Sequence, residues 1–269
     1  GLTLLLQFYM GYMISIFVVL YACYYVSPRL SIEGDWKQKI RNYLQPLWKA
    51  FAYSVFGVAT ASILLVPVFY NLLESKGQVG DAMRFSFAFQ INPLDILSKL
   101  SIGGFDTASG WSAGPNLPNI YIGALGFIGF ILFFTSKKLL KERKWAAGIV
   151  TLIFLIYFVN EFVSKIWHMG QNPSGFFFRF SWIFSFFMLV LAYQVLKEKI
   201  EISRRGKLIS VLLLVLAGIY LYTKDFTYLP KTQPEALNQF VSSHYVVLLV
   251  LLVLATAAGF YLYWDRSFK

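Results

Sequence analysis

Residues 157–188 read YFVNEFVSKIWHMGQNPSGFFFRFSWIFSFFM. Two apolar stretches flank a short polar turn, the pattern of two membrane helices joined as a hairpin. Asn160, Glu161, Lys165, His168, Gln171, Asn172 and Arg179 gather in it, while the apolar segments elsewhere are nearly free of charge. A charged group in hydrocarbon costs at least about 2.5 kcal/mol on insertion scales, so such a cluster is a site hypothesis by default. The rest of the chain is read as its scaffold.

Composition supports a membrane reading. Of 269 residues, 58% are hydrophobic and only 14% charged, where a soluble domain carries about 25% charged residues. Phe (27) and Tyr (17) are abundant, as expected where rings line both lipid interfaces. The net charge of +11 falls in short basic blocks between apolar segments, which fits cytoplasmic loops and argues against nucleic acid. The single cysteine, Cys23, rules out a disulfide within the chain and reads as a small apolar packer. The start GLTLLLQFYM carries no basic region or cleavage site of a signal peptide, and both ends read as cut from a longer chain.

Outward from the hairpin, apolar length predicts seven spans at about 2–26, 50–73, 120–136, 145–167, 176–196, 208–223 and 244–264. Gly11 with Ser15 and Ala255 with Gly259 are steps of small residues that admit a neighbouring helix. Residues 27–49 are polar and basic. Ile40, Tyr43, Leu44, Leu47 and Trp48 recur there at helical spacing, which suggests an amphipathic helix lying flat on the membrane. Pro67 is expected to kink the second span. Gly123, Gly126 and Gly129 in the third follow no strand, so they read as a packing face and not a nucleotide loop. A long outer loop covers 74–119. Its part from Asp81 to Leu100 has room for a short interfacial helix, and its core is rich in turn residues.

The connections after spans one, three and five hold five Lys or Arg each, whereas those after spans two, four and six hold five in all. The excess of positive charge predicts the first set in the cytoplasm. The expectation is an all-α polytopic transmembrane bundle of about seven spans, N-terminus outside and C-terminus cytoplasmic. Loop 74–119 and turn 168–175 then face outward.

Two readings are open for most polar residues of the hairpin. Arg179, placed about one turn inside span five among Phe176, Phe177, Phe178, Phe180 and Trp182, either snorkels to the interface or clamps an anion with its guanidinium fork. An outer anion at membrane depth would be a lipid phosphate. Glu161 and Lys165 are spaced i,i+4 for a pair within one helix; alternatively Glu161 holds Arg179 across the hairpin. His168 is either an exposed turn residue or a donor to a phosphate or sugar hydroxyl. Gln171 and Asn172 complete the candidate lipid-phosphate set. In the outer loop Asp106, Trp111, Asn116 and Asn119 form a plausible sugar-facing group, though polar loops are ordinary. His168 and His244 are not spaced as metal ligands, and no complete catalytic set is visible.

Several segments carry a family resemblance. QFYMGYMISIFVVLYACYY (7–25), LLVPVFYNLLESKG (64–77), LPNIYIG (117–123) and IWHMGQNPSGFFFRFSWIFSFFMLVLAY (166–193) resemble, in the same order, stretches of the YfhO family of bacterial membrane proteins. The chain departs in NPSGFFFRFSW (172–182), where the family more often reads like PNWFPYRFSF; Arg179 keeps its place. The resemblance implies a GT-C-type glycosyltransferase of the bacterial plasma membrane, without a cofactor. Such enzymes move a sugar from a polyprenyl-phosphate donor to an extracellular acceptor, in Gram-positive bacteria a cell-wall polymer such as lipoteichoic acid. The family's catalytic carboxylate sits in a first outer loop upstream of the matching region, so it is expected outside this chain. Arg179, helped by His168, would stabilise the departing lipid phosphate. A lipid or polysaccharide transporter would need polar residues along a midplane path, and a non-catalytic membrane scaffold would use only the small-residue faces.

Overall fold

In a computed structural model the chain is described over residues 1–76, 88–100, 117–170, 177–198 and 204–223. Regular structure among the described residues is helical. The chain divides into two compact units. One comprises Gly1–Ala88 and Leu140–Asn172, the other Phe89–Leu139 and Pro173–Lys269.

The first unit begins with a short helix, α1 (Leu2–Leu6), and Gln7 breaks it by taking extended backbone. α2 (Phe8–Val26) follows. A Cβ on Gly11 would stand 2.8 Å from the Leu4 backbone, so the missing side chain is what lets α1 lie against α2. Ser15, four residues on, donates a hydrogen bond to the Gly11 carbonyl at 2.8 Å and is exposed. Pro28 sits inside the 3₁₀ turn Ser27–Ser31 that ends this arm.

α3 (Trp36–Lys76) runs for 41 residues through Pro46 and Pro67. At 1.5 Å per residue it is about 62 Å long. The expected flat helix at 27–49 and the span at 50–73 are therefore one element. The reason is local: Asp35 accepts a hydrogen bond from the Trp36 N–H at 2.7 Å, and beyond it helix formers outweigh Pro46. Tyr43 ties α3 to α2 by donating to the Cys23 carbonyl at 3.3 Å.

α4 (Gly123–Thr135) belongs to the second unit; the first resumes with α5 (Lys141–Val159) and α6 (Glu161–Ile166). The expected span 145–167 is thus interrupted at Asn160. Phe17 of α2 packs on Phe154 of α5 with ring centroids 6.4 Å apart, and Phe154 stacks on Trp167 at 5.6 Å. In lipid such ring packing, not exclusion of water, holds helices together.

The second unit contains the 3₁₀ segment Pro93–Leu100, α4 (Gly123–Thr135), α7 (Ser181–Lys197) and α8 (Arg204–Thr223). α4 and α7 form its main helix pair. A Cβ on Gly126 would come within 3.2 Å of Leu189 on α7, so this glycine does serve packing. Gly123 does not: it opens α4 at φ +76° with open space where its Cβ would be. Ile128 and Phe133 on α4, with Ile183, Phe187 and Leu191 on α7, form the buried seam.

Among the described residues, two helices are long and apolar enough to cross a membrane, Phe8–Ser31 and Trp36–Val68. Leu125–Thr135, Ser181–Lys197 and Leu208–Tyr220 are shorter apolar helices. The expected span 244–264 lies outside the described residues.

Candidate functional site

The corner that follows α5 is built by a cap. Asn160 leaves helical backbone at φ −96°, ψ 124°, and its side chain accepts a hydrogen bond from the Val163 N–H at 2.9 Å. An asparagine here satisfies one of the free amides that any new helix exposes. α6 then carries Glu161 and Lys165 on one face, and they pair at 2.9 Å. The intrahelical reading holds for this pair. Arg179, the alternative partner, belongs to the second unit. Lys165 is buried while Glu161 is about half exposed, so the cation is held inside and its counter-charge reaches outward.

α6 ends in a tight reversal. The Gly170 N–H returns to the Lys165 carbonyl at 2.9 Å and the Met169 N–H to the Ile166 carbonyl at 3.3 Å. This is the bond pattern of a Schellman cap, which normally puts glycine at the left-handed position. Met169 occupies that position at φ +59°, and Gly170 follows at φ +78°. A methionine in left-handed backbone is uncommon, and such residues concentrate at functional sites.

The reversal turns His168 inward. Only 4% of it is exposed, which corrects the reading of an exposed turn residue. Its Nδ1 shares a hydrogen bond with the Tyr9 hydroxyl of α2, and the two rings stack with centroids 6.2 Å apart. One helical turn on, Tyr12 donates to the Ile166 carbonyl at 2.7 Å. Trp167, fully buried, meets Tyr157 edge-on at 5.4 Å. Chemically the corner offers a buried ammonium and an imidazole, groups suited to an oxyanion, while the Tyr9 and Tyr12 hydroxyls are engaged with His168 and the Ile166 carbonyl.

Arg179 lies elsewhere in the architecture. It sits in a turn ahead of α7, which starts at Ser181, not one turn inside a helix as the apolar length predicted. The Ser181 N–H bonds back to the Phe178 carbonyl at 2.9 Å, so this stretch is still turning when the apolar run has begun. Phe178 and Phe180 are buried on either side, and Arg179 is exposed between them. Gln171, Asn172, Asp106, Trp111 and Asn116 fall outside the described residues, and Asn119 is exposed.

Sequence reasoning missed a second buried polar group. On the 3₁₀ segment Pro93–Leu100, Asp95, Ser98 and Lys99 are all buried. The Tyr220 hydroxyl of α8 donates to Asp95 Oδ1 at 2.5 Å. The available signal was Asn92–Pro93 opening a turn whose aspartate stands among Leu94, Ile96 and Leu97, an acid inside an apolar run.

Among the described residues regular structure is helical, two helices reach membrane length and ionisable groups are buried at a helix break, features that fit a helical membrane protein. The chain belongs to the YfhO family: the profile described as "Bacterial membrane protein YfhO" matches residues 1–267. No match is found among the curated proteins or among solved structures.

Proposed function

We propose that this chain forms part of a multi-pass glycosyltransferase of the bacterial plasma membrane, moving a sugar from a polyprenyl-phosphate donor to an extracellular cell-wall acceptor such as lipoteichoic acid. The observation that carries the reading is the burial of Lys165 and His168 within four residues at the end of α6, with Tyr9 bonded to the imidazole. Family membership supplies the membrane context. A buried cation in a membrane protein calls for an anionic partner; Glu161 supplies one at 2.9 Å, and a lipid phosphate is proposed as a second.

In the proposed step an acceptor hydroxyl gives its proton to a carboxylate and its oxygen attacks the anomeric carbon. The bond from that carbon to the phosphate oxygen breaks, and the lipid phosphate leaves with the electron pair. Lys165 and His168 stabilise the charge that develops on the phosphate. Arg179, exposed ahead of α7 in the other unit, is proposed separately as a ligand of a lipid phosphate. Losing one such donor costs about 100- to 1000-fold in rate. In the proposed orientation turn 168–175 faces outward, so the reaction is assigned to that side.

The test is native mass spectrometry of the full-length protein in detergent with undecaprenyl phosphate. Wild type should retain the lipid, Lys165→Ala should lose it, and Arg179→Ala should weaken it. Equal retention by all three would remove the phosphate site from this stretch.

A further inference from the structure

α3 is much longer than a bilayer requires. Residues 50–73 rise about 36 Å, enough for the roughly 30 Å hydrocarbon core. The preceding fourteen residues, Trp36–Lys49, extend about 21 Å further. This extension is not a plain spacer. Trp36, Ile40, Leu44 and Trp48 recur every four residues and are 63%, 44%, 53% and 69% exposed. Each step of four advances about 40° around a helix, so the four span an arc of about 120°. Lys37 and Arg41 are also exposed and border the stripe on one side, at about 100° and 140° on the same wheel. The Lys37 ammonium lies 5.8 Å from the centre of the Trp36 ring, and the Trp48 ring meets Phe51 at 5.6 Å, where the apolar span begins.

Tyr43, which reaches the Cys23 carbonyl of α2, lies about 20° beyond Trp36 on the helix, at the edge of the stripe and outside its exposed arc. The stripe is therefore an outward surface that combines apolar rings with positive charge. Trp36–Lys49 carries four basic residues and no acidic one.

We propose that this face binds the anionic phospholipids of the adjacent leaflet. With α3 tilted by about 40° from the membrane normal, within the range spans adopt, the rings would come down to head-group depth, where tryptophan is favoured, and Lys37 and Arg41 would reach lipid phosphates. An apolar stripe with basic flanks is the signature of a helix seated in an anionic interface. A lipid phosphate outranks a protein groove as occupant because the charge is continuous with the apolar rings, and because the extension grows directly out of a membrane-length helix. In the proposed orientation the leaflet is the cytoplasmic one, whose anionic lipids attract such segments. Binding there would fix the tilt and depth of α3, independently of any sugar transfer.

The experiment uses the full-length protein with Leu44→Cys as the one labelled cysteine and Cys23→Ser in the background. Bimane attached at position 44 is titrated with acrylamide, a neutral aqueous quencher. The protein is held in nanodiscs of phosphatidylcholine alone or with phosphatidylglycerol. The label should be shielded in the anionic discs and accessible in the neutral ones. Each charge removed by Lys37→Gln or Arg41→Gln should lower the ratio of shielded to accessible label roughly five-fold. High salt should have the same effect, because exposed charges are screened. Lys141→Gln with Lys144→Gln should leave the shielding intact. Equal shielding in both lipids would mean that protein or a second copy covers the stripe, and would overturn the proposal. So would shielding that survives high salt, or that the control pair abolishes.

Discussion

The two halves of the stretch 157–188 treat their basic residues in opposite ways. In the first half Lys165 and His168 are buried; in the second Arg179 is exposed, although its neighbours Phe178 and Phe180 are buried. All three residues lie beside apolar runs of similar strength, so hydropathy does not separate them. The backbone does. Asn160 stops α5 and starts α6, and the cap after Ile166 reverses the chain. That break brings the corner against α2, where Tyr9 and Tyr12 supply hydrogen-bonding groups. A buried ionisable group persists only where its bonds are met. The turn before α7 makes short-range bonds to its own backbone, and Arg179 there points outward.

The sharpest test of this contrast uses one tryptophan from each half. Trp167 is fully buried against Phe154 and Tyr157, whereas Trp182 is 40% exposed. Trp167→Ala should cost about 3–5 kcal/mol, as large-to-small changes in packed cores do, and Trp182→Ala under about 1 kcal/mol. Thermal unfolding of the purified protein in detergent reads both. Similar losses would mean that the two halves are equally packed and that the contrast has another cause.

Tyr9→Phe should have the next largest effect. It removes the hydroxyl that His168 Nδ1 bonds and keeps the ring. Leaving a buried polar atom without its partner costs about 1–3 kcal/mol. Replacing Tyr9 and His168 together by Phe and Leu should recover part of that loss, since two apolar groups leave no unmet bond. If the single change is neutral in the same unfolding measurement, the Tyr9 bond does not hold the corner.

These contrasts also mark how far the sequence could be read. Apolar length marked stretches that are helical in the structure, α2, the apolar part of α3, α7 and α8, with starts that differ by up to six residues, because a stretch that must lie in lipid advertises itself in composition. The Glu161–Lys165 pair was legible for a similar reason, since i,i+4 spacing is local geometry. What stayed hidden depends on partners far away in the chain. His168 is buried by Tyr9, 159 residues upstream, and Asp95 meets Tyr220, 125 residues downstream. No local window contains both members of either pair. The continuity of α3 was hidden differently. Polar residues and Pro46 break the apolar pattern at 36–49, yet neither breaks the helix. The break at Asn160 was the converse: it falls within the expected span 145–167 with neither Gly nor Pro to mark it, yet the backbone turns there.

Arg179 gives the smallest expected effect on stability. An exposed cation in a turn contributes little to folding, so Arg179→Gln should shift stability by no more than about 0.5 kcal/mol. Glutamine keeps the hydrogen-bonding capacity and removes the charge, which separates the two readings of this residue. A guanidinium that merely snorkels should be replaceable in both stability and ligand binding. One that grips a phosphate should be replaceable in stability alone, with retention of undecaprenyl phosphate falling. Arg179→Lys sharpens the point, because lysine keeps the charge and loses the bidentate fork. A variant series in which glutamine and lysine both fail to bind would assign the role to fork geometry. Failure of glutamine alone would assign it to charge. A large drop in stability for either would show that the exposed turn is held by Arg179 after all, and the difference between the two halves of the stretch would collapse.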